Sequence, residues 1–241
     1  MKNNIIDISA DFSFSFGFGE NLLFKMKEGQ NNISLKKGHV YGIYGGNGCG
    51  KTTFLNILNT FLKPTTGRVT FSFSAFNYIH ENNLTNISKI IGNNIRRCFQ
   101  TPLLTDELNT YNNISISKRL ENESFFNTFS VGIKEKEDNE IAQLLEMVRL
   151  KGNENTATLS YGQRRIIANL QVLYSDAQLM ILDEPFANIH QSVIEKLKQA
   201  YRKKVLQNNT TVIIVEHNKS SLQDFADAIL TIEDKQISLL N

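Results

Sequence analysis

The chain has 241 residues, 41% hydrophobic and 21% charged, a balance that suits a folded globular protein and excludes a low-complexity one. Its 26 basic residues are nearly matched by 24 acidic ones, leaving a net charge of +2, so there is no electrostatic footprint for nucleic acid and no direct nucleic-acid partner is expected. Two cysteines, Cys49 and Cys98, are too few for a disulfide framework and lack metal-site spacing. The first residues are broken by Asn, Asp and Ser and do not read as a signal peptide, and no run approaches the roughly 20 apolar residues of a membrane span. A reducing, cytosolic setting is the expectation, with any membrane association made through a partner.

In chain order, DFSFSFGFG sets Phe12, Phe14, Phe16 and Phe18 at a period of two, which predicts a half-buried strand with the rings on one face. The stretch HVYGIYGGNGCGKTTFLNILNTFL predicts an apolar strand from about Val40 to Tyr44, a glycine loop, and a helix with apolar positions at Phe54, Leu55, Leu58 and Leu62. RVTFSFSAF alternates again, through Val69, Phe71 and Phe73, after the turn signal of Pro64 to Gly67. Together with the first alternation it predicts an antiparallel sheet beside the glycine loop. From about Leu103 to Thr158 the chain is polar and helix-leaning without a buried strand, which predicts an inserted helical subdomain. AQLLEMVRL is a helix within it, and IKEKEDNE is a solvated charge run. LMILD and TVIIVE then read as short buried strands around the amphipathic helix VIEKLKQAYRKKVL. The fold class is α/β: a P-loop NTPase core with a mainly parallel sheet covered on both faces, an N-terminal antiparallel β subdomain, and a helical insertion at about 103–158, all within one domain over 1–241.

Chemistry concentrates at three places. GGNGCGKT, the residues Gly45, Gly46, Asn47, Gly48, Cys49, Gly50, Lys51 and Thr52, satisfies the phosphate-loop pattern after a strand and before a helix. Its glycines let backbone N–H groups wrap phosphates, with Gly48, Gly50 and Thr53 adding contacts, and the helix N-terminus favours negative charge. Lys51 is placed for the β and γ phosphates and the Thr52 hydroxyl for magnesium. LMILDEP delivers Asp183 and Glu184 at the carboxyl end of a strand, where ligands of open α/β sheets bind. Asp183 is expected to hold magnesium through water, and Glu184 to polarise the attacking water in γ-phosphate hydrolysis. His217 ends a third core strand at the same edge and is read as a donor sensing the γ-phosphate. The third place is LSYGQRR, Leu159 to Arg165, a small hydroxyl-bearing glycine loop that also reads as a helix start capped by Ser160.

The order of these motifs resembles the nucleotide-binding subunit of ATP-binding cassette transporters, nearly end to end. LSYGQ is similar to that family's signature loop, LSGGQ. LSYGQRR with AQLLEMVRL and IRRCFQTPLL looks closest to the branch of branched-chain amino-acid uptake and lipopolysaccharide-export ATPases. The resemblance implies ATP and Mg2+ as cofactors and a head-to-tail dimer. In that dimer Ser160, Gly162 and Gln163 of one subunit cap the γ-phosphate held by another, identical or different, nucleotide-binding subunit. It implies that Gln100 approaches magnesium and water, with Glu81 as the other candidate for that role. It further implies that Phe16 or Phe18 stacks on adenine. A transmembrane permease subunit is the implied partner, docked near Gln100 with Phe125, Phe126 and Phe129 as groove candidates, so that the chain works on the inner face of the cell membrane. FANIH departs from the family, with Asn188 and His190 where a small residue and an acid are usual. A soluble cassette ATPase acting on DNA, ribosomes or cofactor assembly is the alternative reading.

Overall fold

The computed structural model describes residues 3–17, 21–75, 77–81, 94–122 and 138–240, the side chains of 119–122 excepted. Two sheets organise it. The smaller is antiparallel: β4 (Ile33–Lys36), β1 (Asn4–Ile8), β6 (Val69–Ser72) and β7 (Asn77–His80), in that spatial order. The larger has eight strands in the order β2 (Ser13–Phe16), β3 (Asn21–Met26), β12 (Gln236–Leu240), β11 (Ala228–Glu233), β5 (Val40–Gly45), β10 (Thr211–Val215), β9 (Leu179–Asp183) and β8 (Ile95–Cys98). From β11 to β8 all pairings are parallel, so β5, β10 and β9 end on one edge.

The continuous apolar runs follow from burial on both faces. In β9, Leu179 and Ile181 enter one core while Met180 and Leu182 enter the other, and Ile213 and Val215 of β10 divide from Val212 and Ile214 in the same way. The first core joins the inner faces of both sheets around α1 (Lys51–Leu58), which contributes Phe54, Leu55 and Leu58. The second lies under α3 (Asn139–Val148), α4 (Tyr161–Tyr174), α5 (Gln191–Asn208) and α6 (Lys219–Gln223). The described part of 103–158 carries α2 (Thr110–Asn122), α3 and a single 3-10 turn, Thr156–Thr158. Burial pushes the Cys98 thiol up to about 12, which makes it a small apolar core residue.

Two expectations are corrected. The strand of DFSFSF does not join the RVTFSF strand: β2 pairs with β3 at the edge of the large sheet, and an isolated bridge from Ser13 to Thr66, with hydrogen bonds such as Ser15 N–H to Thr65 Oγ1 at 2.9 Å, links it to the chain just ahead of β6. Phe12 and Phe14 are buried as the alternation requires, but a register shift after Phe14 leaves Phe16 at 51% exposure. Phe71 and Phe73 are buried together as expected. Helix α1 stops at Leu58, short of Leu62. Thr60 takes a left-handed φ of 59°, its N–H donates to Ile57 O and that of Phe61 to Asn56 O, closing the helix with the double bond of a Schellman cap. The helical periodicity runs on through a cap that the sequence does not mark with glycine.

Candidate active site

The phosphate loop joins β5 to α1 within eight residues, so its shape is set locally. Gly50, at a φ of 101°, precedes the helix, and a Cβ there would come 2.7 Å from the Leu23 side chain. No side chain caps α1, which leaves the first-turn N–H groups directed at whatever the loop holds. Lys51 is buried, its Nζ donating to Gly45 O at 2.8 Å and Gly46 O at 2.9 Å, inside the loop's curve. Gly46, Asn47, Gly48 and Thr52 are exposed along the mouth, and Cys49 and Thr53 are half-buried. Cys49 Sγ lies against Gly45, consistent with a small loop-filling residue.

At the neighbouring strand end two adjacent acids have opposite surroundings. Asp183 is in a buried ion pair with Arg97 at 2.8 Å, both side chains 2% exposed. Arg97 also donates to Asn56 on α1 and lies over the Phe99 ring at 4.7 Å. Asp183 Oδ1 has no partner among the described residues, a buried acceptor left for something else. Glu184 sits at a φ of 49°, with its N–H donating to Val215 O at 3.1 Å. Such a conformation is costly for a residue with a side chain and is held here by its surroundings. Its two oxygens are each engaged: Oε1 by His217 Nε2 at 2.8 Å and Oε2 by Gln100 Nε2 at 3.1 Å. Three segments distant in sequence thus converge on one carboxylate. Of the two glutamine-role candidates, Gln100 reaches Glu184, whereas Glu81 follows β7 at the edge of the other sheet.

The donor set suits a small hard cation. Thr52 offers an exposed hydroxyl and Asp183 an unpartnered oxygen, and among the described residues no group of three or more His, Cys, Asp or Glu could hold a metal alone. A cation that keeps its waters and shares phosphate oxygens needs only one or two protein ligands.

The signature segment is a helix start as well as a loop. Ser160 and Gln163 form a reciprocal capping box, Gln163 N–H donating to Ser160 Oγ at 3.3 Å and Ser160 N–H to Gln163 Oε1 at 2.9 Å. Gly162 is required by packing, because a Cβ would lie 2.5 Å from Asn188 O. In FANIH, Asn188 has a φ of 61° and His190 caps α5, its Nδ1 accepting from Ser192 N–H at 3.3 Å. The residue in the place of the usual acid therefore serves its own chain's helix.

Sequence reasoning passed over three residues. Arg97 stood unremarked inside the IRRCFQ phrase, Arg165 inside LSYGQRR, and Glu216 beside His217. Arg165 is buried and bonds the backbone of Glu184 and Gln100. Burial, above all, pushes the Glu216 carboxyl up from 4.5 to about 7, and its Oε1 has no partner among the described residues. For Arg97 and Glu216 the signal available was a charge in or directly after a core strand, and for Arg165 a charge in the first turns of a helix that is otherwise buried. Of the adenine candidates, Phe16 stands exposed at the end of β2 with its ring edge-on to Phe14, and Phe18 lies outside the described residues, as do Phe125, Phe126 and Phe129.

A strand, phosphate loop and helix beside an acidic strand end of a parallel sheet define an α/β P-loop NTPase. The family model described as ABC transporter matches residues 29–187, more than half of the chain. The chain belongs to the ABC transporter family, among its ATP-binding subunits. It is 27% identical over 218 residues to an uncharacterised ABC transporter ATP-binding protein of Bacillus subtilis, covering 89% of this chain and 64% of that one. A high-affinity branched-chain amino acid transport ATP-binding protein of Pseudomonas aeruginosa is 28% identical over 209 residues, covering 83% of this chain and 80% of that one. The two identities differ by one point, so they single out no branch of the family. A solved dimeric ATP-binding cassette in a post-hydrolysis state, bound to ADP and Pi, superposes with a TM-score of 0.76 at 23% identity, covering 98% of both chains. Cassettes of this family are ATPases. Among the described residues no helix is long and apolar enough to cross a membrane.

Proposed function

We propose that this chain is the ATP-hydrolysing subunit that powers a membrane transporter, working in a head-to-tail pair with an identical or different nucleotide-binding subunit. The observation that carries the reading is Glu184 held between His217 and Gln100 on the strand edge that also ends in the phosphate loop. The residues 1–241 act as one cassette domain, with the helical segment at about 103–158 as its insertion. ATP lies with its phosphates on the loop amides of Gly45 to Thr53 and on Lys51, and Phe16 is the described candidate against adenine. Thr52, Asp183 through water, and Gln100 would hold Mg2+, which when bound would offset charge on the phosphates.

Glu184 takes a proton from the water that attacks the γ-phosphorus, the bond to the β-bridging oxygen breaks, and ADP and phosphate leave. Gln100 and His217 fix the direction of the Glu184 carboxylate before ATP binds, and with ATP in place the His217 N–H turns from Glu184 to the γ-phosphate. Ser160, Gly162 and Gln163 act on the partner's nucleotide, supplying donors completed only when the pair closes. A transmembrane subunit docks beside Gln100 and places the chain at the cytoplasmic face of the membrane.

The test replaces Glu184 with Gln, which keeps the shape, leaves one accepting oxygen where the carboxylate has two, and removes the base. Steady-state ATPase activity should fall by about 10²-fold or more, while ATP should drive stable dimers visible by light scattering. Normal turnover, or monomers at saturating ATP, would refute the assignment.

A further inference from the structure

A loop that acts on the partner's nucleotide has no need of its own chain's catalytic strand, yet the signature helix is fastened to it along its first half. Arg165 is the centre of the attachment. Its guanidinium donates to Glu184 O, to Gln100 O at 2.5 Å and to the Tyr161 hydroxyl at 2.7 Å, and the Tyr161 hydroxyl itself donates to Gln100 O at 3.2 Å. One turn on, Asn169 Nδ2 donates to Pro185 O at 2.9 Å. At the helix start Gly162 packs against Asn188 O so closely that no Cβ would fit.

The chemistry of the attachment is unusual for a merely structural one. Arg165 is 2% exposed, and among the described residues its hydrogen-bond partners are carbonyl and hydroxyl oxygens, with no carboxylate. A buried guanidinium compensated only by dipoles is costly beside a well-packed apolar residue, so its planar fork is retained for the geometry that it imposes. That geometry bears on the reaction. Fixing the carbonyl of Glu184, a residue already held at positive φ, fixes the peptide that aims its carboxylate, and fixing Gln100 O orients the residue that grips Oε2.

We propose that Arg165, with Tyr161, is a positioning residue that ties the signature loop, which acts on the partner's nucleotide, to Glu184 and Gln100, which act on the chain's own. Closure of the signature loop over one ATP then aligns the base at the other site, and the two sites hydrolyse as a coupled pair. The proposal rests on the in-trans reading above.

The experiment compares Arg165→Met, Arg165→Lys and Tyr161→Phe in the full chain. It measures ATP dependence of turnover, affinity for a fluorescent ATP analogue, and thermal stability. In the wild type the Hill coefficient should approach 2, the number of sites. Arg165→Met should lower kcat by about 10²-fold, the cost of a small misplacement of catalytic groups, with analogue Kd unchanged within about twofold. Its Hill coefficient should fall to about 1. Tyr161→Phe, which removes one oxygen from a ring 45% exposed, should lower kcat about 3- to 10-fold in the same pattern and carries the test if Arg165→Met does not fold. Arg165→Lys, keeping the charge without the fork, should fall between them. A wild-type Hill coefficient of 1, wild-type turnover and steepness in the variants, or a loss of nucleotide affinity equal to the loss in kcat would each overturn the coupling. Glu184→Gln separates the two failures. If it stops turnover and traps the dimer while Tyr161→Phe and Arg165→Met behave as wild type, only the strut is wrong.

Discussion

The phosphate loop and the acidic strand end lie at one edge of one sheet and are built by opposite means. The loop is made by eight consecutive residues whose backbone does the holding, with Gly50 at a φ no other residue takes easily and Lys51 folded back on Gly45 and Gly46. The strand end is made by side chains from distant segments: Arg97 on Asp183, His217 and Gln100 on Glu184, Arg165 on the backbone behind them. A backbone site fails by strain and a side-chain site fails by loss of a partner. The first kind should lose ligand while the fold survives, and the second should lose stability and catalysis together.

The largest effect on stability should come from Arg97→Met. Breaking a buried ion pair from one side strands the Asp183 carboxylate and should cost about 3–5 kcal/mol in chemical denaturation. Adding Asp183→Asn to that variant should recover a substantial part of the loss, since the stranded charge is then gone, and a double-mutant cycle measures the recovery. If the single variant is as stable as the wild type, the pair contributes nothing to the fold. Gly50→Ala probes the other kind of site. The added Cβ meets Leu23 at 2.7 Å and Phe24 at 2.9 Å, in a left-handed conformation that costs a residue with a side chain about 1–2 kcal/mol. Nucleotide binding, followed by fluorescence, should be lost, with a smaller fall in melting temperature than Arg97→Met produces.

The contrast also governs what could be read from the sequence. GGNGCGKT was legible in full because a local backbone motif carries its own spacing. The strand ends at Asp183, Glu184 and His217 were legible because continuous apolar runs mark strands buried on both faces, and the residue after such a run falls at a sheet edge. Gln100 was found through its resemblance to a family phrase, and the structure brings it to Glu184. Partnerships were not legible. Nothing in IRRCFQ says that Arg97 turns inward to Asp183, because the neighbouring Arg96 bonds backbone carbonyls instead, including Ser117 O on α2. The period of two in DFSFSF identified a strand but not its sheet, since register and neighbour are tertiary choices. The early stop of α1 at a left-handed Thr60 was hidden for the same reason, an energetically uncommon cap chosen by packing.

Glu216 sharpens the comparison from within the side-chain site. Its carboxyl is raised from 4.5 to about 7, first by burial and then by the charge of Glu184, against a bond from the Phe186 backbone. Between those values the folded state holds a proton that the unfolded chain gives up, so stability falls as pH rises from about 4.5 to about 7, by roughly 1–3 kcal/mol. Glu216→Gln removes the titration and should flatten that part of the pH profile, with a variant more stable than the wild type above pH 7. A profile unchanged by the substitution would mean that the carboxyl is hydrated in solution.

The smallest effect on stability is the one that separates two roles of a single atom. Ser160 Oγ accepts from Gln163 N–H as a helix cap, and in the proposed pair the same serine faces the partner's γ-phosphate. Ser160→Ala removes both roles, and its stability cost should be about 1 kcal/mol, the usual worth of a cap. Ser160→Asp keeps the cap and adds charge that suits a helix N-terminus, so the fold should be as stable as the wild type. The same charge would oppose a γ-phosphate, so turnover and ATP-driven dimerisation should both be abolished. Stability and activity then move independently, which no purely structural role of the serine allows. An aspartate variant that dimerises and hydrolyses normally would leave Ser160 as a cap alone, and would leave the signature loop without a nucleotide to act on.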